Sequence, residues 1–200
     1  MSTKRSSENT NGDAANINEL IKAAEDGDAL AQADLASSYI TGTDGVQTNF
    51  EEAIKWYRKS VEQECPQGYC GLALCYCKGE GVEKNAEEAT KLFMKAAEKG
   101  YVSAQVNMGI RYELGEGIEK NKERAFYWSM KGAEQGHAVA QYNIGKYYEF
   151  GEGIEKDIPN AIEWYMKSAM QGFKPAQWVV EKLVPDISGM RIFDITLPTS

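Results

Sequence analysis

Glu134-Gln135-Gly136-His137-Ala138-Val139-Ala140-Gln141-Tyr142-Asn143-Ile144-Gly145 has a counterpart upstream in Glu98-Lys99-Gly100-Tyr101-Val102-Ser103-Ala104-Gln105-Val106-Asn107-Met108-Gly109. Gly100 and Gly136 set the step between them at 36 residues, and self-similarity at such a period marks a repeat architecture. The same step relates Gly79-Glu80-Gly81, Gly115-Glu116-Gly117 and Gly151-Glu152-Gly153, each followed by an aliphatic residue, Val82, Ile118 or Ile154. It also relates Ala53, Ala89, Ala125 and Ala161, then Trp56, Leu92, Trp128 and Trp164. Gly27, Ala31-Gln32 and Tyr39 join the register if one residue is inserted in Thr41-Gly42-Thr43-Asp44-Gly45, a change that costs little in a surface turn.

Within one unit, Ala140, Ile144 and Tyr148, then Ala161, Trp164, Tyr165 and Ser168, recur at helical spacing and give two apolar stripes. Gly151-Glu152-Gly153 separates them, so each unit reads as a helix, a glycine turn and a second helix. Asn49, Asn85, Asn121 and Asp157 stand where the second helix needs an N-cap, and Pro159 is tolerated at that helix start. Ala36, Ala73, Gly109 and Gly145 share one position in the first helix. A mid-helix glycine costs about 1 kcal/mol against alanine, so its use twice implies a close helix contact there. A single pair cannot bury both stripes, and neighbouring units must stack.

The sequence therefore predicts an all-α α-solenoid of about four tandem helix-turn-helix repeats of 36 residues. The expected organisation is a polar, disordered leader over 1–16 and a solenoid over 17–184. Its units lie near 24–60, 61–96, 97–132 and 133–168, with a terminal half unit at 169–184, and a tail follows over 185–200. Leu20 to Gly27 reads as the back half of a unit. The tail stretch Met190 to Thr196 alternates enough to form an extended segment, which covers the last helix or folds back into the groove.

Thirty acidic residues against 22 basic ones give a net charge of -8, which disfavours nucleic acid and anionic membranes as partners. No apolar run near the start serves as a signal peptide and none later spans a bilayer, so the expected location is the cytoplasm, or outside it by export without a classical signal. Cys65, Cys70, Cys75 and Cys77 crowd into one unit. They read as plain thiols, with redox sensitivity, a disulfide pair or a metal site as the alternatives. Cys70 and Cys77 share a helix face, but about 10 Å along an unbroken helix is too far for a disulfide.

At the motifs Gly136 to Gly145, Tyr148 to Gly153 and Ala161 to Ala169, the chain resembles the Sel-one-like repeat family, relatives of the tetratricopeptide repeat. The resemblance covers roughly Leu20 to Val184 and implies a right-handed α-superhelix, or α-solenoid, used as a protein-binding adaptor surface; no cofactor is expected. It also implies the alternatives of an exported effector or inhibitor that binds a foreign protein and, more remotely, a cysteine-rich β-lactamase-like hydrolase. The second unit departs from the pattern: Gly68-Tyr69-Cys70-Gly71 replaces Ala-Gln-Tyr-Asn, and Glu64 replaces the opening glycine.

By analogy with tetratricopeptide solenoids, the first helices line a concave groove. Its expected protein- or peptide-binding residues are Gln67, Cys70, Leu74 and Cys77, then Ser103, Val106, Ile110 and Glu113, and finally Val139, Tyr142, Lys146 and Glu149. The mixed aliphatic, aromatic and charged composition suits a peptide or helix laid in a groove. No catalytic or metal-ligating residue is expected. His137 fills the slot of Tyr101, Phe173 and Asp28 and reads as a helix-start residue without the partner a base needs. Ser60, Ser129 and Ser168 sit in repeat helices with no plausible base beside them. The recurrent aromatics Trp56, Trp128, Trp164, Tyr57 and Tyr165 read as core.

Overall fold

The structure, a computed structural model, describes residues 10–183, with side chains from Ile17 onward. Ten α-helices and no strand occur among the described residues. The chain divides into two compact units, residues 1–101 and 102–200. The first holds α1 (Thr10–Glu25), α2 (Ala29–Thr41), α3 (Phe50–Glu62), α4 (Pro66–Lys78) and α5 (Ala86–Glu98). The second holds α6 (Val102–Leu114), α7 (Lys122–Glu134), α8 (Ala138–Phe150), α9 (Ile158–Met170) and α10 (Lys174–Leu183). The repeated helix pair is thus present, with α2 through α9 alternating as first and second helices. Helix α1 starts at Thr10, inside the stretch read as a disordered leader. The tail over 185–200 lies outside the described residues.

Both ends of the helices follow from the residues that recur. Asn49, Asn85, Asn121 and Asp157 hold extended dihedrals, and each side chain accepts the amide three residues on, at 3.1, 3.0, 2.8 and 3.0 Å. Each such cap is worth about 1 kcal/mol. First helices end on Gly42, Gly79 and Gly151, whose φ of 69°, 79° and 68° is the left-handed conformation that costs glycine nothing. The second glycine of the motif has another reason. A Cβ on Gly81 would sit 2.6 Å from the Phe50 carbonyl, and one on Gly153 would press on the Lys122 backbone at 3.0 Å.

Packing inside a unit rests on small residues facing large ones. Ala53, Ala89, Ala125 and Ala161 are all fully buried. The mid-helix glycines mark close contacts as expected: a Cβ on Gly145 would lie 2.6 Å from the Tyr165 ring, and one on Gly109 would overlap the Ser129 hydroxyl. Ser60 Oγ donates to the Ala29 carbonyl at 2.6 Å, and Ser168 Oγ to that of Ala138 at 2.7 Å, each tying a second helix to the start of its first.

The aromatic reading needs one correction. Tyr57 and Tyr165 are core, but Trp56, Trp128 and Trp164 are only half-buried. Lys59 lies over the Trp56 ring at 3.8 Å, and Lys167 over Trp164 at 4.2 Å. One residue is about 100° of helix rotation. The core slot is therefore the next position along, filled by Tyr57, Phe93, Ser129 and Tyr165, all buried.

The repeated Ala-Gln also has a structural role that its recurrence alone did not disclose. Gln32 Nε2 donates to the Ala24 carbonyl at 3.0 Å, and Gln32 Oε1 accepts from Gln63 Nε2 at 2.9 Å. Gln141 does the same with the Ala133 carbonyl at 3.3 Å and Gln171 at 2.8 Å. The second repeat, 61–96, replaces this link as a set. Tyr69 takes the glutamine slot with Lys95 over its ring at 5.4 Å, Lys99 takes the partner slot, and Lys99 Nζ pairs with Glu64 at 2.8 Å.

Glu64 adopts the positive φ, 56°, that Gly27, Gly100, Gly136 and Gly172 adopt in the sister positions. Left-handed backbone costs a non-glycine residue roughly 1 kcal/mol, and the exposed pair with Lys99 returns less than that. Glu64→Gly is accordingly expected to raise the urea midpoint, with no change in slope. A lower midpoint would show that the Lys99 pair outweighs the backbone strain.

Candidate protein-binding surface

The first helices place the twelve groove residues unevenly. In the first unit, Leu74 is 42% exposed, Gln67 and Cys77 are half-buried, and Gln67 donates to Asp34. In the second unit Ser103 is exposed, while Ile110, Glu113, Val139, Tyr142, Lys146 and Glu149 are half-buried. Cys70 and Val106 are corrections, because both are core, at 5% and 7% exposure. Val106 is buried because a methyl group fills the space over Gly132, where a Cβ would meet it at 3.0 Å.

Helices α6 and α8 are joined along this face. Lys146 Nζ lies 3.7 Å from Glu113, and the Tyr147 hydroxyl donates to the same carboxylate at 3.4 Å. The Tyr165 hydroxyl donates to Glu149 at 2.6 Å. Burial, and then these carboxylates, push the Tyr147 and Tyr165 hydroxyls well above the usual phenol range. The Tyr142 ring packs at 5.4 Å from both Tyr165 and Phe173. The acids are therefore tied down, and the face is left with apolar groups available for contact.

Two exposed apolar residues escaped the sequence reading. Leu114 and Phe150 are the last residues of α6 and α8, one repeat step apart, and each is 61% exposed. The signal was present as a bulky apolar residue directly before the second and third Gly-Glu-Gly, where the first has Lys78. Clefts of about 550 Å³ beside Tyr76, Lys84 and Asn85 and of about 360 Å³ beside Tyr112, Lys120 and Asn121 occupy the same repeat positions. They are a product of the repeat and do not single out one place on the chain.

Ser60, Ser129 and Ser168 are buried, and two of the three hydroxyls are spent on backbone carbonyls. His137 is the N-cap of α8, with no side-chain cap bond. No disulfide joins any of the four cysteines. Burial pushes the Cys70 thiol up to about 12 and that of Cys75 to about 11. At pH 8 a disulfide reagent should titrate Cys65 and Cys77 quickly, and Cys70 and Cys75 only after denaturant is added. Because both folded values are raised, their contribution to stability is complete below about pH 9 and is lost as pH climbs toward 12. The thermal midpoint should therefore fall across that window, and a flat profile would contradict the burial of these thiols.

A family model described as Sel1 repeat matches residues 29–65, 66–101, 102–137 and 138–173, each span beginning at the first residue of a first helix. The chain belongs to the Sel1 repeat family. Sel1 repeats are typical of protein-interaction modules. Among solved structures, this Sel1 repeat chain is similar to a protective antigen of uropathogenic Escherichia coli with an SLR fold, at 35% identity and a TM-score of 0.73 over 78% of this chain and 33% of that one. A Sel1 repeat protein from Oxalobacter formigenes matches at 31% identity and a TM-score of 0.78, over 86% of this chain and 50% of that one. An immunity protein from Pseudomonas aeruginosa matches at 28% identity and a TM-score of 0.60, over 82% of this chain and 60% of that one. The present chain thus spans a third and a half of the length of the first two. No match is found among curated proteins. Among the described residues, no helix is long and apolar enough to cross a membrane.

Proposed function

We propose that this Sel1 repeat chain is an adaptor that holds a protein or peptide on the first-helix face of its second unit, with Leu114 and Phe150 as apolar anchors. The observation that carries the reading is their matched exposure at one repeat step, beside the half-buried Ile110 and Tyr142. Large apolar side chains left open at repeating positions on one face fit a partner that runs across the repeats. The Glu113–Lys146 pair forms a polar rim. The reading retains most of the groove expected from sequence and drops Cys70 and Val106, which no partner can reach.

The test is capture of partners from cell lysate by the parent chain and by Leu114→Asp/Phe150→Asp, with Lys55→Ala on α3 as a control. Prey kept by the parent and the control but lost by the folded double variant supports the site. Prey kept by all three places binding elsewhere.

The similarity to an immunity protein supports a second reading, a dedicated inhibitor of one protein. A single stoichiometric prey would favour that reading over an adaptor with several partners. It also leaves the place of action, inside the cytoplasm or after export, to be read from where that prey resides.

A further inference from the structure

We propose that the cleft between α3 and the loop before α5 binds a peptide carboxylate, from a side chain or a chain end, between Arg58 and Lys84. The cleft has a volume of about 550 Å³, within the roughly 300–1,000 Å³ of ligand sites. Its two cations come from separate elements held in fixed relation. Gly81 is seated so closely on α3 that a Cβ there would meet the Phe50 carbonyl at 2.6 Å and Ile54 at 2.9 Å. Arg58 follows Ile54 by one helical turn on the same face and so borders the same loop. On that loop, a Cβ on Gly79 would touch the Cβ of Lys84 at 3.6 Å. The next residue, Asn85, donates its amide to the Tyr76 carbonyl at 3.0 Å and accepts the Glu88 amide on its side chain at 3.0 Å. The backbone that carries Lys84 is thus anchored on both sides.

The position of the cleft is a product of the repeat, but Arg58 is not. Met94, Met130 and Met166 stand at its sister positions. In the cleft beside Tyr112 the arginine is Arg124, which comes from a different repeat position and is engaged. It donates to the Tyr112 hydroxyl at 3.1 Å and lies over that ring at 5.6 Å. Tyr76 is the counterpart of Tyr112, and among the described residues its hydroxyl has no such partner. Nor does Arg58 or Lys84 make an ion pair among them, in a chain whose net charge is -8. A guanidinium matches a carboxylate through two parallel hydrogen bonds, and the Tyr76 hydroxyl is a further donor. Glu83 also borders the cleft and leaves a surplus of a single positive charge. That balance suits a monoanionic carboxylate better than a phosphate group, which carries nearly two negative charges.

The test is an NMR titration of the full chain, followed at the backbone amides of 81–85 and at the Arg58 side chain. One probe is acetyl-Gly-Glu-Gly-amide, whose carboxylate is a side chain, and the other is acetyl-Gly-Gly-Gly, whose carboxylate is the chain end. At least one should saturate with a Kd of roughly millimolar order, and the tighter of the two identifies the source of the carboxylate. Arg58→Met, which installs the sister residue, should weaken binding roughly tenfold, and Lys84→Gln should weaken it too. Lys167→Gln makes the same charge change in the other compact unit and should leave binding unchanged, with all variants equally helical by circular dichroism. Failure of both carboxylates to saturate would overturn the proposal. So would an equal response to the neutral acetyl-Gly-Gln-Gly-amide, an affinity that survives Arg58→Met, or inorganic phosphate binding at the same residues more tightly than both peptides. None of these outcomes depends on whether Leu114 and Phe150 bind a partner.

Discussion

Tyr165→Ala is expected to destabilise the second compact unit by about 4 kcal/mol. Tyr165 is the largest fully buried side chain of the described residues. Its ring fills the space that Gly145 leaves open on α8, packs at 5.4 Å from Tyr142, and belongs to the core formed by Ala161, Ala169, Ala176 and Val180. Truncation leaves a cavity among these rigid helices and takes from Glu149 the hydroxyl that donates to it at 2.6 Å. Repeat stabilities add locally, so the loss should be concentrated. Amide exchange should accelerate most in α8, α9 and α10, and the urea transition should move to a lower midpoint or split in two. A uniform loss of protection along the chain would contradict a locally additive repeat. Tyr165→Phe separates the two contributions, since it retains the packing and removes only the hydrogen bond, for a loss of about 1 kcal/mol.

What was legible in the sequence is what the chain decides over short distances. The asparagine caps bond three residues ahead, and the turn glycines answer to their own φ. Both recur every 36 residues, so four imperfect copies reinforce one another. The two-helix unit followed from these signals.

What was not legible depends on contacts across helices. Repetition showed that Trp56 and Trp164 are equivalent, but not that the neighbouring Tyr57 and Tyr165 are the residues turned into the core. Val106 looked like a groove residue because its slot is Tyr142 in the next unit. Its burial depends on Gly132, whose missing side chain admits a valine from α6. The glutamine link was quoted as a motif without a reason, because Gln171 reaches Gln141 from a position 30 residues further along the chain. Leu114 and Phe150 were overlooked because a helix's last residue belongs to neither apolar stripe. Their exposure became meaningful only once the residues beside them proved to be tied to one another.

Gly145→Leu makes the converse prediction, an overpacked core that loses about 3 kcal/mol. Leucine in place of a mid-helix glycine would by itself favour α8 by about 0.8 kcal/mol, so propensity and packing act in opposite directions. Distance decides between them: the first carbon of the side chain already meets the Tyr165 ring at 2.6, 2.7 and 2.9 Å. The ring is fully buried and has no free direction in which to move, so the helices must part. The sister units carry a methyl group at this position, since Ala36 and Ala73 stand there fully buried. The conflict should therefore be specific to the ring. If it is, Gly145→Leu in the Tyr165→Ala background places a leucine in the cavity left by the ring, and the double variant should be more stable than the sum of the two losses by about 2 kcal/mol. Chemical denaturation of the four proteins of the cycle measures that coupling. Additive losses would mean that the glycine answers to something other than Tyr165, and the small-against-large rule proposed for the repeat would lose its best instance.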